Sequence, residues 1–158
     1  MLNRRALAAL ALASTALLAG CARDRAPEVS YVLLNGDKAS SQQWAGKVML
    51  VNFWATSCAT CVGEMPRIIA THNKFKGRGF DTLAVAMSYD PPAFVSRFAE
   101  TRALPFGVVI DNTGSFAKSF GKVELTPTSV LINKRGEIVK RYVGEPDFAA
   151  LQIGRAHV

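Results

Sequence analysis

Apolar and polar positions alternate between two periods along this chain, and the switches mark its elements. Residues 48–55 read Val-Met-Leu-Val-Asn-Phe-Trp-Ala, a nearly continuous apolar run of strand length. Such a run predicts a central strand covered on both faces. From Cys58 to Lys76 the period becomes helical, with Cys61, Met65, Ile68, Ile69, His72 and Phe75 on one stripe. That predicts an amphipathic helix, kinked where Pro66 lacks a backbone donor. Residues 80–87 predict a second buried strand. Pro91-Pro92 then opens a helix with Phe94, Val95, Phe98 and Ala99 as its apolar face. A short strand is expected at 105–110 and a short helix at 115–120. The strands at 129–133 and 137–143 are joined by Lys134-Arg135-Gly136, a hairpin signal. A small strand at 31–34, turned by Asn35-Gly36-Asp37, precedes all of these, and a last helix begins at 147–152. This order predicts an α/β fold: a central mixed β-sheet with helices on both faces and a small N-terminal strand extension.

The first twenty residues follow a different rule. Arg4 and Arg5 precede an apolar run of ~13 residues, too short to span a bilayer of ~30 Å, so a signal peptide is favoured over a membrane helix. The run ends in Leu18-Ala19-Gly20-Cys21, which resembles the bacterial lipobox. That resemblance implies cleavage before Cys21 and acylation of its thiol. Residues 1–20 are thus expected to be a lipoprotein signal peptide, 21–29 a polar tether, and 30–152 the folded domain. The end of the chain is also unusual: residues 153–158, Ile-Gly-Arg-Ala-His-Val, are what ATC GGA AGA GCA CAC GTC encodes, the start of a sequencing-library adapter. The expectation is that the natural chain continues past Leu151 and that the last helix is truncated here.

Composition narrows the function classes. With 158 residues, 49% of them hydrophobic and 20% charged, the chain suits one globular domain with a real core. The net charge of +7 includes the leader arginines, and the other basic residues (Lys74, Lys76, Arg78, Lys134, Arg135, Lys140, Arg141) come in twos and threes at helix ends and turns. A nucleic-acid footprint would need a denser basic stripe interleaved with aromatics, so a solvated surface is the reading. Once Cys21 is assigned to lipid, two of the three cysteines remain, three positions apart.

Cys58-Ala59-Thr60-Cys61 at a helix start has a direct chemical use. Unpaired N–H groups and the helix dipole favour a thiolate on Cys58, the nucleophile. Cys61, one turn in, is placed to resolve the mixed disulfide. A zinc site needs about four ligands, and only His72 and His157 are left to supply them. His72 is roughly three turns past Cys61 and reads as a helix-face histidine. A purely structural disulfide over so short a loop would restrain the unfolded chain little. A copper carrier would want a surface rich in Met and His, which four Met and two His do not provide. Thr56-x-Cys58 faintly echoes a peroxidase, but a second cysteine at +3 is the disulfide-exchange spacing.

Residues 31–151 resemble the thioredoxin superfamily, and in particular its membrane-tethered TlpA/ResA-like branch. The motifs are Val51-Asn52-Phe53-Trp54-Ala55 leading into Cys58-x-x-Cys61, then Glu64-Met65-Pro66, and Thr126-Pro127-Thr128 before a strand. The resemblance implies a cis Pro127 facing the pair, with the backbone at Thr126 binding a partner polypeptide. It implies that Glu64 tunes the cysteines' proton affinities, the alternative being a solvated helix carboxylate. It also implies that Trp54 lies beside the active site and contacts substrate, the alternative being plain core. Where general thioredoxins often carry a buried Asp before Phe-Trp, this chain has Asn52, so another carboxylate would have to do the proton work. No metal and no cofactor beyond the redox disulfide is expected. The implied partners are extracytoplasmic protein disulfides, such as apocytochromes in cytochrome c maturation or copper-site proteins, and a membrane electron donor. The implied setting is the periplasmic side of a bacterial membrane, as a monomer.

Overall fold

A computed structural model of the chain describes residues 24–148 and 151. Its centre is a five-stranded sheet in the order β5-β4-β3-β6-β7. The strands are β3 (Val48–Trp54), β4 (Phe80–Ala86), β5 (Gly107–Ile110), β6 (Thr128–Ile132) and β7 (Ile138–Val143). β3, β4 and β5 run parallel, while β6 pairs antiparallel with β3 and β7 with β6. A two-stranded hairpin, β1 (Ser30–Val32) with β2 (Lys38–Ser40), forms the N-terminal extension.

The nearly continuous apolar run of β3, broken only by Asn52, is explained by cover on both faces. Alternation sends Val48, Leu50 and Trp54 into a cluster with Cys61, Met65 and Ile68 of helix α1 (Ala59–Phe75) and Val95 and Ala99 of α2 (Pro92–Thr101). Met49, Val51 and Phe53 point the other way, onto Phe116 and Ala117 of α3 (Ser115–Ser119), onto Phe120 that caps it, and onto Trp44. Phe53, Phe116 and Phe120 meet there with ring centroids 5.4–6.0 Å apart. The sheet is thus mixed, with helices on both faces.

Several expectations need correction. Phe94, assigned to the buried face of α2, is 61% exposed; Val95, Phe98 and Ala99 alone meet the core. Residues 24–29 are no free tether. Ile138 N–H donates to the Asp24 carbonyl (2.7 Å), Ala26 N–H to Gly136 (2.8 Å), and Arg25 bridges Glu137, so this arm lies along the start of the edge strand β7. Asp147 and Phe148 lack helical structure; residues 149–150 and 152–158 lie outside the described residues, as do the leader and Cys21. Helix α1 runs unbroken through Pro66. Among the described residues, no helix is long and apolar enough to cross a membrane.

Candidate active site

β3 ends at Trp54, and the chain turns through Ala55-Thr56-Ser57 before α1 begins. Asp90 fixes this turn. It is 2% exposed, follows β4, and accepts hydrogen bonds from Thr56 N–H (2.6 Å) and Thr56 Oγ1 (2.5 Å). Asp90 was missed in the sequence because an acidic residue before Pro91-Pro92 reads as a helix-start signal; nothing local ties it to Thr56.

Cys58 is the N-cap of α1, and its Sγ accepts from Cys61 N–H at 3.1 Å. The two cysteines form a disulfide with Cα atoms 5.2 Å apart. Their environments differ: Cys58 is half-buried, while Cys61 is fully buried on the stripe that faces β3. A sulfur at a helix start sits where orphan N–H groups and the dipole favour negative charge.

One turn after Cys61, on the same stripe, lies Glu64, 1% exposed. It is therefore not a solvated carboxylate. Asn52 shares the α1-facing side of β3 and is paired across the sheet with Ser129. Its Nδ2 donates to Glu64 Oε1 and to Ser129 Oγ, both at 3.0 Å. Glu64 Oε2, Asn52 Oδ1 and Trp54 Nε1 are buried and meet no hydrogen-bond partner among the described residues. Burial pushes the Glu64 carboxyl up to about 7 from its ordinary 4.5. The Asn52 bond opposes that rise, Glu145 adds to it, and Arg67, ion-paired with Glu145, works against it. A carboxyl near 7 holds or releases a proton at neutral pH, as a group exchanging protons with a thiol must.

The Thr126–Pro127 peptide bond is cis, as the resemblance implied. Because Phe53 pairs with Thr128, Pro127 lies at the end of the sheet from which the Cys58 loop departs. Thr126 is half-buried, with its Oγ1 3.2 Å from the Tyr89 hydroxyl. Tyr89 and Leu125, both more than half exposed, flank it. Trp54 is placed otherwise than expected of a substrate contact. It is 0% exposed and packs on Phe98, ring centroids 5.0 Å apart, so it supports the site from below and offers no surface to a partner. His72 is also buried, with Nδ1 3.3 Å from Thr82 Oγ1, and burial lowers its proton affinity. Among the described residues, no group of three or more His, Cys, Asp or Glu side chains could hold a metal ion.

A mixed sheet with a Cys-x-x-Cys disulfide at a helix start and a cis proline at the same end defines a thioredoxin-type protein. The model of the Redoxin family matches residues 22–151. The thiol-disulfide oxidoreductase ResA of Halalkalibacterium halodurans is 35% identical over 118 residues, 73% of this chain and 66% of that protein. This chain therefore spans about two thirds of that relative's length. A solution structure from Neisseria meningitidis, assigned to the thioredoxins, is 45% identical with a TM-score of 0.79, covering 84% of this chain and 90% of that one. A thiol:disulfide interchange protein of the thioredoxin family from Chlorobium tepidum, 26% identical, also superposes with a TM-score of 0.79, over 87% of this chain and 99% of its own. The chain belongs to the Redoxin family, among the ResA-like thiol–disulfide oxidoreductases of the thioredoxin superfamily.

Proposed function

We propose that this protein is a lipid-anchored, extracytoplasmic reductant of protein disulfides, acting through Cys58 and Cys61 with Glu64 as proton carrier. The observation that carries the reading is the asymmetry of the pair: a half-buried sulfur at the helix start, a buried one beneath it, and a buried carboxyl one turn further on. In the reduced protein the Cys58 thiolate attacks a substrate disulfide. A Cys58–substrate disulfide forms, and the displaced substrate sulfur leaves as a thiolate that takes up a proton. Cys61 then passes its proton to Glu64 and attacks the Cys58 sulfur. The second substrate sulfur leaves as a thiolate and takes up a proton, two electrons have moved to the substrate, and the Cys58–Cys61 disulfide is restored. A dithiol donor in the membrane returns the pair to its reduced state.

Backbone around Thr126 and cis Pro127 is the proposed seat for the substrate polypeptide, and acylation of Cys21 the proposed tether. Apocytochromes and copper-site proteins, as in cytochrome c maturation, are the proposed substrate class, on the strength of the ResA-like resemblance.

The test is trapping. Cys61→Ser accumulates a mixed disulfide through Cys58, because nothing remains to resolve it, and Cys58→Ser traps almost nothing. Equal trapping by both variants would reverse the assignment of nucleophile and resolving thiol. A Cys61→Ser protein that consumes peroxide with external thiol would instead mark a peroxidase.

A further inference from the structure

The end of the sheet opposite the redox pair gathers basic side chains from four separate segments. Val48 N–H donates to the Gly79 carbonyl, and Gly46 N–H to that of Lys134, so the start of β3, the turn before β4 and the β6–β7 hairpin share one pole. A Cβ at Gly79 would lie 3.9 Å from the Gly46 carbonyl and 4.0 Å from Lys134 Cε. That pole carries Arg25, Lys47, Lys76, Arg78, Lys134 and Arg135, against Asp24, Asp81, Glu137 and Glu100, which lines one pocket with Lys47, Lys76 and Asp81. Lys47 is held by Asp81 (3.6 Å) and Arg135 by Glu137 (2.9 Å). Lys76, Arg78 and Lys134 make no ion pair with another described residue.

The N-terminal arm is bonded to the same pole, through Asp24 to Ile138 and Ala26 to Gly136. Only a few residues separate Asp24 from Cys21, a reach of roughly 10 Å even when fully extended. A lipid on Cys21 therefore holds this pole, and not the Cys58 end, against the bilayer. β3 spans Val48–Trp54, so the redox pair stands roughly 20 Å further out.

We infer that the pole formed by Arg25, Lys47, Lys76, Arg78, Lys134 and Arg135 is a membrane-seating surface for anionic lipid headgroups, orienting Cys58 and Cys61 away from the bilayer. The orientation rests on the anchored reading above. The chemistry is complementary: Lys76, Lys134 and Arg78, the last stacked over the Phe75 ring, carry no ion pair with another described residue and can meet a negative surface, each worth about 1 kcal/mol, or roughly fivefold, near such a surface. Neutralising three of them shifts the balance between seated and lifted domain by roughly a hundredfold.

The experiment uses the mature, oxidised full chain, its acyl mass on Cys21 verified, in vesicles of phosphatidylcholine with and without phosphatidylglycerol. Amide hydrogen exchange is read by mass spectrometry. Phosphatidylglycerol is expected to slow exchange in segments 24–26, 45–47, 76–79 and 133–137, and to leave 56–61 and 125–127 unchanged. High salt, or the variant Lys76→Gln/Arg78→Gln/Lys134→Gln, should abolish the effect with the acyl mass intact. Protection at 56–61, indifference to phosphatidylglycerol, or unchanged protection in the variant would overturn the inference while leaving the anchor standing. Absence of the acyl mass would remove the anchored reading and the orientation with it. Protection of the same segments by polyglutamate or RNA as strong as by the vesicles would overturn the assignment to lipid.

Discussion

Replacing Glu64 with Gln tests the buried carboxyl through stability, independently of catalysis. The amide of the Glu64→Gln variant would keep an oxygen for the Asn52 Nδ2 bond and resembles the protonated acid in size and charge. In the oxidised protein the cysteines do not titrate, so Glu64 can be followed without them. Its folded-state value, about 7, lies above the ordinary 4.5. A folded carboxyl raised in this way binds its proton more tightly than in the unfolded chain. Its full share of stability is therefore present below about pH 4.5, and is lost as pH climbs through 7. The slope approaches about 1.4 kcal/mol per pH unit, and the loss between pH 4 and 8 totals about 3 kcal/mol.

Urea unfolding of both oxidised proteins across that range measures this loss. His72, lowered by burial, acts in the opposite direction near its own titration, but the difference between the two proteins cancels it. The Glu64→Gln variant should gain on the wild type by about 3 kcal/mol from about pH 4 to about pH 8, most of it between about 4.5 and 7. A constant difference across the range would refute the raised carboxyl, and with it the proton role assigned to Glu64.

Two further substitutions probe what surrounds the pair. Asn52→Ala removes the donor that restrains Glu64, so the upper limit of the Glu64-dependent stability loss, about pH 7 in the wild type, should move upward and the total loss should grow; an upper limit that stays or falls would mean the Asn52 bond does not act on the charge. Asp90→Asn leaves one acceptor where Thr56 uses two, at an expected cost of about 1–3 kcal/mol in urea unfolding and with slower disulfide exchange; an unaltered exchange rate would show that the turn needs no fixing before Cys58.

The central strands were legible because both faces of β3 and β4 are covered, and a doubly covered strand leaves an apolar run that no other element imitates at that length. β2 left no such trace: Lys38–Ser40 is short, polar and held mainly by its pairing with β1. The arm at 24–29 was misread for a related reason. Its order comes from backbone bonds to Gly136 and Ile138, and backbone bonds impose no composition. Phe94 misled in the opposite sense, since a helical stripe shows which residues share a side but not how wide a side the core accepts.

At the site, what the sequence revealed was what spacing fixes. The Cys58–Cys61 pair and Glu64 one turn later lie on a single helix, so their proximity follows from its pitch. Asn52 could be flagged as unable to ionise, but its partners could not be named, because Ser129 lies 77 residues away and reaches it only through the β3–β6 register. Asp90 is 34 residues from Thr56 and is brought to it by the parallel pairing of β3 with β4. The same limit governs charge. Lys47, Arg78 and Lys134 look dispersed along the chain, each at a separate turn, and counting them there argues for a plain solvated surface. Parallel β3 and β4 must begin at one end, and antiparallel β6 must finish there, so turns far apart in sequence become neighbours at one pole. A basic surface assembled by topology in this way has no linear signature, and its partner has to be sought from the fold.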